Sequence, residues 1–313
     1  MKVYRDLNEF TKLDNAVVST GTFDGVHNGH KIILQRLCKT AEQTGGESVL
    51  ITFDPHPRLV LNPTGNTDLK LLTTVEEKIA LLEAQGIQHL LIIPFTPEFA
   101  QTSGEAYIKD ILVRTIGVKK LVIGYDHRFG KGRGGSFKEL VELAPTYGFE
   151  VEEIPAVEID DSAISSTKIR KAIAAGDMEG ANEKLGYPYA LSGRVVKGHQ
   201  LGRTIQFPTA NIEPEDSLKL IPAIGVYAAT VELNNKEYYA MVNIGVRPTF
   251  GGNKLKIETH IIKFEEDIYH KTICIRFRSR IRPEIKFNSA DDLKIQLQKD
   301  KNTILRILAD MGC

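Results

Sequence analysis

The stretch Thr20-Gly21-Thr22-Phe23-Asp24-Gly25-Val26-His27-Asn28-Gly29-His30 constrains this chain more than any other. It follows an apolar β-branched run, Ala16 to Val18, and leads into a helix-like segment, residues 31–44. A strand, a tight glycine turn and a helix start, in that order, specify a βα unit. The same turn is a ready phosphate site, because the first N–H groups of a helix lack backbone partners and the helix dipole favours negative charge there. Two imidazoles three residues apart on that first turn face one ligand.

The first half of the chain repeats the βα rhythm. Short apolar runs at 16–20, 48–53, 89–93, 120–123 and 150–154 read as strands buried on both faces of a parallel sheet. Helical segments are expected between them, at 31–44, 75–85, 104–116 and 136–147. This predicts a doubly wound, Rossmann-like sheet whose ligands bind at the carboxyl ends of the strands, where the glycine turn already lies.

After about Gly186 the rhythm changes. Segments 190–197, 226–233, 236–244, 254–263 and 272–279 read as strands with no helix between them. Asn234-Asn235 suits a hairpin turn. A small antiparallel barrel is expected, closed by an amphipathic helix with Leu293, Leu297, Ile304 and Leu308 on one stripe and Ser289 and Asp292 at capping spacing. At 313 residues the chain is long enough for two domains, expected at 1–185 and 186–313.

Composition narrows the function classes. Lysine plus arginine and aspartate plus glutamate both number 40, so the net charge is zero, which argues against a broad nucleic-acid footprint. The three cysteines are scattered, with no Cys-x-x-Cys, as suits a reducing cytoplasm without a disulfide or thiolate-metal framework. The start of the chain lacks the apolar core of a secretion signal, and no apolar run is long enough to span a membrane.

Further motifs fall where a nucleotide site needs them. Ser165-Ser166-Thr167-Lys168-Ile169-Arg170 offers a helix cap, hydroxyls and a guanidinium to phosphate oxygens. Gly124-Tyr125-Asp126-His127-Arg128-Phe129-Gly130 ends the fourth strand, and Phe53-Asp54-Pro55-His56-Pro57 ends the second. Together with the first turn, these stretches resemble the nucleotidyltransferase signatures of the FAD synthetase family. The resemblance implies transfer of an adenylyl group from ATP to FMN. It implies that His27 and His30 stabilise the phosphates, that Gly21, Phe23, Gly25, Ser165, Ser166, Thr167 and Arg170 hold ATP, and that Asp54, Asp126, His127 and Arg128 line the flavin pocket. His127 stands where the family more often has Phe.

In the second half, Gly193 to Gly198 and Gly202-Arg203 form a basic, glycine-spaced stretch followed by Phe207-Pro208-Thr209-Ala210-Asn211. Asn243 opens the stretch 243–250, and Ile257-Glu258-Thr259-His260 lies on a predicted strand. These stretches resemble riboflavin kinases, with Gln206 in place of the usual glycine before the Phe. The resemblance implies that Gly193, Gly198, Gly202, Arg203 and Asn243 contact ATP, that Thr209 and Asn211 hold Mg²⁺, and that Glu258 is the general base. His260 then stands behind it.

The whole chain thus resembles a bifunctional riboflavin kinase/FAD synthetase. Its expected substrates are riboflavin, FMN and ATP, its cofactor Mg²⁺, with no nucleic-acid or membrane partner and with room for a homo-oligomer. Two other readings stay open on the residues alone. One is an adenylyltransferase with a non-catalytic flavin-binding barrel, and the other is a flavin-binding protein without turnover.

Overall fold

A computed structural model describes residues 1–61, 69–125, 128–133, 135, 137–155, 164–198, 205–249 and 252–311. Contacts divide the chain into two compact units, Met1–Ser166 and Thr167–Cys313.

The first unit holds six parallel strands in the order β1-β4-β3-β2-β5-β6. They are β1 (Lys2–Tyr4), β2 (Ala16–Thr20), β3 (Glu47–Asp54), β4 (His89–Pro94), β5 (Val118–Gly124) and β6 (Glu150–Ile154). From central β2 the chain moves outward through β3 and β4, then returns to β5 on the other side. The order reverses between β2 and β5, so a crevice opens at their carboxyl ends.

Helices cover both faces. α1 (Asn28–Thr44) buries Leu34, Leu37 and Ala41 against Val17, Leu50 and Leu90. On the opposite face, α4 (Gly104–Ala106) runs into a π-helical stretch, Tyr107–Ile116, and Ile108, Ile111 and Leu112 pack with Val18, Ile51 and Leu121. α5 (Phe137–Tyr147) adds Leu140 and Ala144 to that core. Two short helices complete the unit, α2 (Pro57–Leu61) and α3 (Val75–Glu83). The three-residue strand β1, which pairs with β4 at the sheet edge, is too short to carry a period and was not expected from the sequence.

The second unit is a closed antiparallel barrel in the order β10-β11-β8-β7-β12-β9. Its strands are β7 (Ala190–Val196), β8 (Ala210–Pro214), β9 (Gly225–Leu233), β10 (Lys236–Thr249), β11 (Gly252–Ile261) and β12 (Thr272–Arg282). Tyr227, Ala229 and Val231 of β9 are fully buried, as are Ile275 and Phe277 opposite them on β12. Asn234 and Asn235 make the β9–β10 turn with φ of 52° and 60°, the left-handed pair that matches strand twist. Outside the barrel, α8 (Ala290–Asp310) lays Ile304 and Leu308 on Val226, Ala228 and Met241. Ser289 caps α8 by accepting from the Asp292 amide at 3.1 Å.

α6 (Ser166–Ala175) and α7 (Met178–Leu185) precede the barrel. The Asn182 side chain binds the Phe277 carbonyl at 2.9 Å and the Tyr189 amide at 2.8 Å. These bonds fasten α7 to the barrel, and the contact division accordingly falls before the boundary expected near residue 185.

Candidate active site

The first turn sits at the carboxyl end of β2, beside the crevice. Phe23, Gly25 and Val26 take positive φ of 45°, 85° and 36°. For a β-branched valine this backbone is an outlier, and such strain persists only where the surroundings over-determine it. Here they do. Phe23 and Val26 are buried in the core under α1. The Asp24 carboxylate accepts from the Leu72 amide at 3.0 Å, the Thr73 amide at 3.1 Å and the Thr73 hydroxyl at 3.2 Å. Thr73 Oγ1 in turn accepts from the Gly25 amide at 3.2 Å. Asp24 is therefore a clasp that draws the segment ahead of α3 onto the glycine turn. Gly21 has no room for a side chain, since a Cβ there would stand 2.9 Å from the Phe23 ring.

His27 is the N-cap of α1. Its Nδ1 accepts from the His30 amide at 3.3 Å, which leaves the proton of the neutral ring on Nε2. The two imidazoles stack with centroids 3.6 Å apart and planes 15° from parallel. His30 Nδ1 is buried with no hydrogen-bond partner among the described residues. Burial above all, with repulsion from a protonated His27 and from Lys78, holds the His30 pKa well below its ordinary value, so the ring is neutral at physiological pH. Ring N–H donors at a helix start, where backbone amides also lack partners, suit a polyphosphate.

The remaining predicted residues of this unit are arranged as follows. Ser166 Oγ donates to the Asp24 carbonyl at 3.0 Å, which joins the second serine motif to the first turn. Ser165 precedes it at the mouth of α6, and Thr167 and Arg170 continue that helix in the second unit. Asp54 is exposed at the end of β3, and Arg128 is exposed beyond β5. Asp126 and His127 lie outside the described residues.

In the barrel, antiparallel register sets three predicted residues side by side. Glu258 of β11 pairs with Asn211 of β8 on one side and with Asn243 of β10 on the other. The three share the outer face, because Ile257 and Thr259 on either side of Glu258 are buried inside. Asn211 is 9% exposed, and a Cβ on Gly198 would stand 2.0 Å from its amide nitrogen, so only glycine lets the chain cross over Asn211 there. Thr209 is half-buried two residues earlier. Gln206 takes φ of 66°, the left-handed backbone that explains why glycine is usual at this place.

Gly193, expected to contact ATP, is also packed tightly within the barrel wall. It lies on the inward face of β7, one residue out of phase with Val196, the strand partner of Asn211. Its Cβ would meet the Glu213 carbonyl at 2.7 Å, so close strand packing accounts for the glycine. Gly202 and Arg203 lie outside the described residues.

Two groups central to these sites, Lys78 and Lys256, were missed from sequence, and His260, expected behind Glu258, has a further tie. Lys78 of α3 is buried beside Thr52. Lys256 pairs with Glu258 at 2.7 Å, two residues away on the same strand face. His260 Nδ1 donates to the Pro208 carbonyl at 2.8 Å, tying the Thr209 turn to the strand that carries Glu258. Burial holds the His260 pKa below its ordinary value. A signal for Lys78 was present: it falls on the apolar stripe of α3 with Val75 and Leu82.

Comparison with known proteins bears on both units. FAD synthetase, as a family, matches residues 9–168, and riboflavin kinase matches residues 185–308. A protein of Listeria monocytogenes named as a bifunctional riboflavin kinase/FMN adenylyltransferase is 37% identical over 94% of this chain and 92% of its own length. One of the same name from Escherichia coli is 36% identical over 97% of this chain and 96% of its own. A crystal structure described as a macrolide-efflux protein from Streptococcus pneumoniae superposes with a TM-score of 0.87 at 31% identity, over 96% of this chain and 97% of that one. No helix among the described residues here is long and apolar enough to cross a membrane.

Proposed function

The chain belongs to the family of bifunctional riboflavin kinases/FMN adenylyltransferases, and from that premise we propose which residues carry each reaction. The enzyme phosphorylates riboflavin with ATP to give FMN and ADP, then transfers the adenylyl group of a second ATP to FMN, giving FAD and pyrophosphate. The observation that carries the assignment of the adenylyl site is the stacked His27/His30 pair at the reversal of strand order, with a buried ring nitrogen that lacks a partner among the described residues.

An FMN phosphate oxygen attacks the α-phosphorus of ATP and the bond to the β-phosphate breaks. The attacking phosphate is already ionised, so positioning and charge stabilisation carry the rate. His27 donates from Nε2 to the phosphate oxygens, and His30 adds a second neutral donor. Backbone N–H groups at the start of α1, with Gly21, Phe23 and Gly25, cradle the phosphates. Ser165, Ser166, Thr167 and Arg170 serve the same anion, and Asp54, Asp126, His127 and Arg128 the flavin.

In the barrel, Glu258 takes the proton of the terminal ribityl hydroxyl as that oxygen attacks the γ-phosphorus. Asn211 and Asn243 flank it in register, and Gly198, Gly202 and Arg203 cover the nucleotide. Thr209 and Asn211 fit Mg²⁺. The protein offers two neutral oxygens there, Asn211 is held under Gly198, and no cluster of acidic, histidine or cysteine side chains among the described residues competes for the ion. Such a site suits an ion whose charge partner is ATP, and an ion held there would supply positive charge for the transferred phosphoryl group.

We place the chain in the cytoplasm, with riboflavin, FMN and ATP rather than nucleic acid as its partners. Its zero net charge and scattered cysteines support this. A homo-oligomer is compatible with the scheme, which does not require one.

The test is to incubate the purified enzyme with riboflavin and Mg-ATP and to follow riboflavin, FMN and FAD by chromatography. FMN first and FAD after it is the expected course. FMN without FAD would remove the role given to His27 and His30. FAD from added FMN, but no product from riboflavin, would reduce the barrel to a binding module.

A further inference from the structure

Lys78 is a buried cation that neither reaction, as assigned above, uses. It is 8% exposed, and its ammonium donates to Thr52 Oγ1 at 3.5 Å. Thr52 is 1% exposed, and its hydroxyl donates to the Thr22 carbonyl at 3.2 Å, within the first turn. A relay therefore runs from Lys78 through Thr52 to the backbone between Gly21 and Phe23.

The placement of Lys78 follows from the clasp. Asp24 holds Leu72 and Thr73. Thr74 then opens α3 with a capping box, its hydroxyl accepting from the Glu77 amide at 3.2 Å and Glu77 accepting from the Thr74 amide at 3.0 Å. Lys78 follows one residue later and is thrown back over β3. The negative charges of Asp24, in the turn after β2, and Asp54, at the end of β3, favour its charged form against the larger opposing cost of burial. The charge of Lys78 in turn opposes protonation of His30.

A buried ammonium costs several kcal/mol to desolvate and is kept only where its charge is used or matched. We propose that Lys78 is a positioning residue for adenylyl transfer: it fastens the first turn to β3 through Thr52 and presents a fixed positive charge behind the His27/His30 pair. The inference rests on the adenylyl-transfer role of that pair. Its action is indirect, because hydrogen bonds and charge pass through Thr52 and His30. Burial keeps His30 a neutral donor and the charge of Lys78 adds to that effect, while the relay through Thr52 holds the turn in place.

The test uses the full chain, whose riboflavin kinase activity reports on folding. Lys78→Met should lower kcat for FAD formation from FMN and ATP by about 10²-fold, the size expected for misplaced catalytic groups. Riboflavin phosphorylation should stay within about twofold of wild type. In ¹³C-histidine NMR, the resonance assigned through His30→Gln should titrate at higher pH in Lys78→Met than in wild type. Thr52→Val keeps the charge and the β-branched shape but cuts the relay. It should lower kcat while leaving the His30 titration in place, and it serves if Lys78→Met loses both activities.

Wild-type rates of FAD formation and an unmoved His30 titration in Lys78→Met, with kinase activity retained, would overturn the inference. So would an unchanged kcat in Thr52→Val. A wild-type enzyme that makes no FAD from FMN would instead overturn the adenylyl-transfer reading beneath it.

Discussion

His27 and His30 stack face to face with ring centroids 3.6 Å apart, and the backbone amide of the second is capped by Nδ1 of the first. One side chain thus serves both as helix cap and as phosphate donor, and it orients its neighbour. Replacing either imidazole with Ala should abolish FAD formation and leave FMN formation from riboflavin intact. Chromatography of the two products on one sample checks both halves at once. Loss of both products in a folded variant would mean that the two reactions do not divide between the units.

The burial of His30 makes the stability of the first unit depend on pH. In the unfolded chain its imidazole takes up a proton below about pH 6.5, whereas in the folded chain its pKa is held well below that value. Below pH 6.5 the unfolded state therefore binds more protons, and stability falls as pH falls. The slope from this one group approaches ~1.4 kcal/mol per pH unit until the folded ring also titrates. Urea denaturation between pH 5.5 and 7.5, followed by far-UV circular dichroism, should show that slope reduced in His30→Gln. Equal slopes in the two proteins would mean that His30 titrates normally when folded.

Glu258 stands directly across the ladder from Asn211, the arrangement expected if base and metal ligand meet at one phosphoryl group. Glu258→Gln should lower riboflavin phosphorylation by roughly 10²–10⁴-fold, the usual worth of a general base. Asn211→Ala should do the same through ATP and its ion. FAD synthesis from supplied FMN should survive both changes, and a drop in that activity would show that the barrel contributes to it.

Much of this was legible in the sequence, for reasons that differ between elements. β2 was expected over 16–20 and is Ala16–Thr20, because all five residues are buried and the apolar Ala16 to Val18 leads straight into the glycine turn. The Asn234-Asn235 turn was legible because asparagine tolerates the positive φ that such a hairpin needs. β8 was not among the expected strands, since the signals of Pro208 and Asn211 are those of a turn, and only its register with β7 and β11 makes Ala210–Pro214 a strand. α7 was missed because its eight residues include Gly180 and its buried face is only Met178, the small Ala181 and Leu185. At the sites, motif residues were legible and their supports were not. Lys78 and Thr52 lie far in sequence from the turn they serve, and only the fold brings them to it.

Gln206 holds a left-handed backbone, φ of 66°, that costs a residue with a side chain roughly 1–2 kcal/mol. Glycine pays part of that back in unfolded-state entropy, about 0.5–1 kcal/mol. Gln206→Gly should therefore stabilise the barrel by about 0.5–1 kcal/mol, with no loss of riboflavin phosphorylation. Thermal unfolding should show a rise of about 2 °C. A fall in stability would mean that the Gln206 side chain contributes more than its backbone costs.

Arg282 and Asp300 form the buried ion pair that locks the terminal helix to β12. The guanidinium reaches the carboxylate through Nε at 3.0 Å and a terminal nitrogen at 2.8 Å, and the side chains are 13% and 3% exposed. Gln296 donates to the same carboxylate at 2.8 Å. Asp300 falls on the stripe of Leu293, Leu297, Ile304 and Leu308, so from sequence it reads as a break in an apolar face rather than as an anchor. Asp300→Ala would leave a buried cation unpaired, and that mechanism typically costs about 3–5 kcal/mol. Most of the cost comes from stranding Arg282, not from losing attraction. The double variant Arg282→Met with Asp300→Leu should therefore recover most of the stability that Asp300→Ala loses. Urea denaturation of the three proteins checks this. A single variant that costs less than about 1 kcal/mol would mean that α8 is held by Ile304 and Leu308 alone.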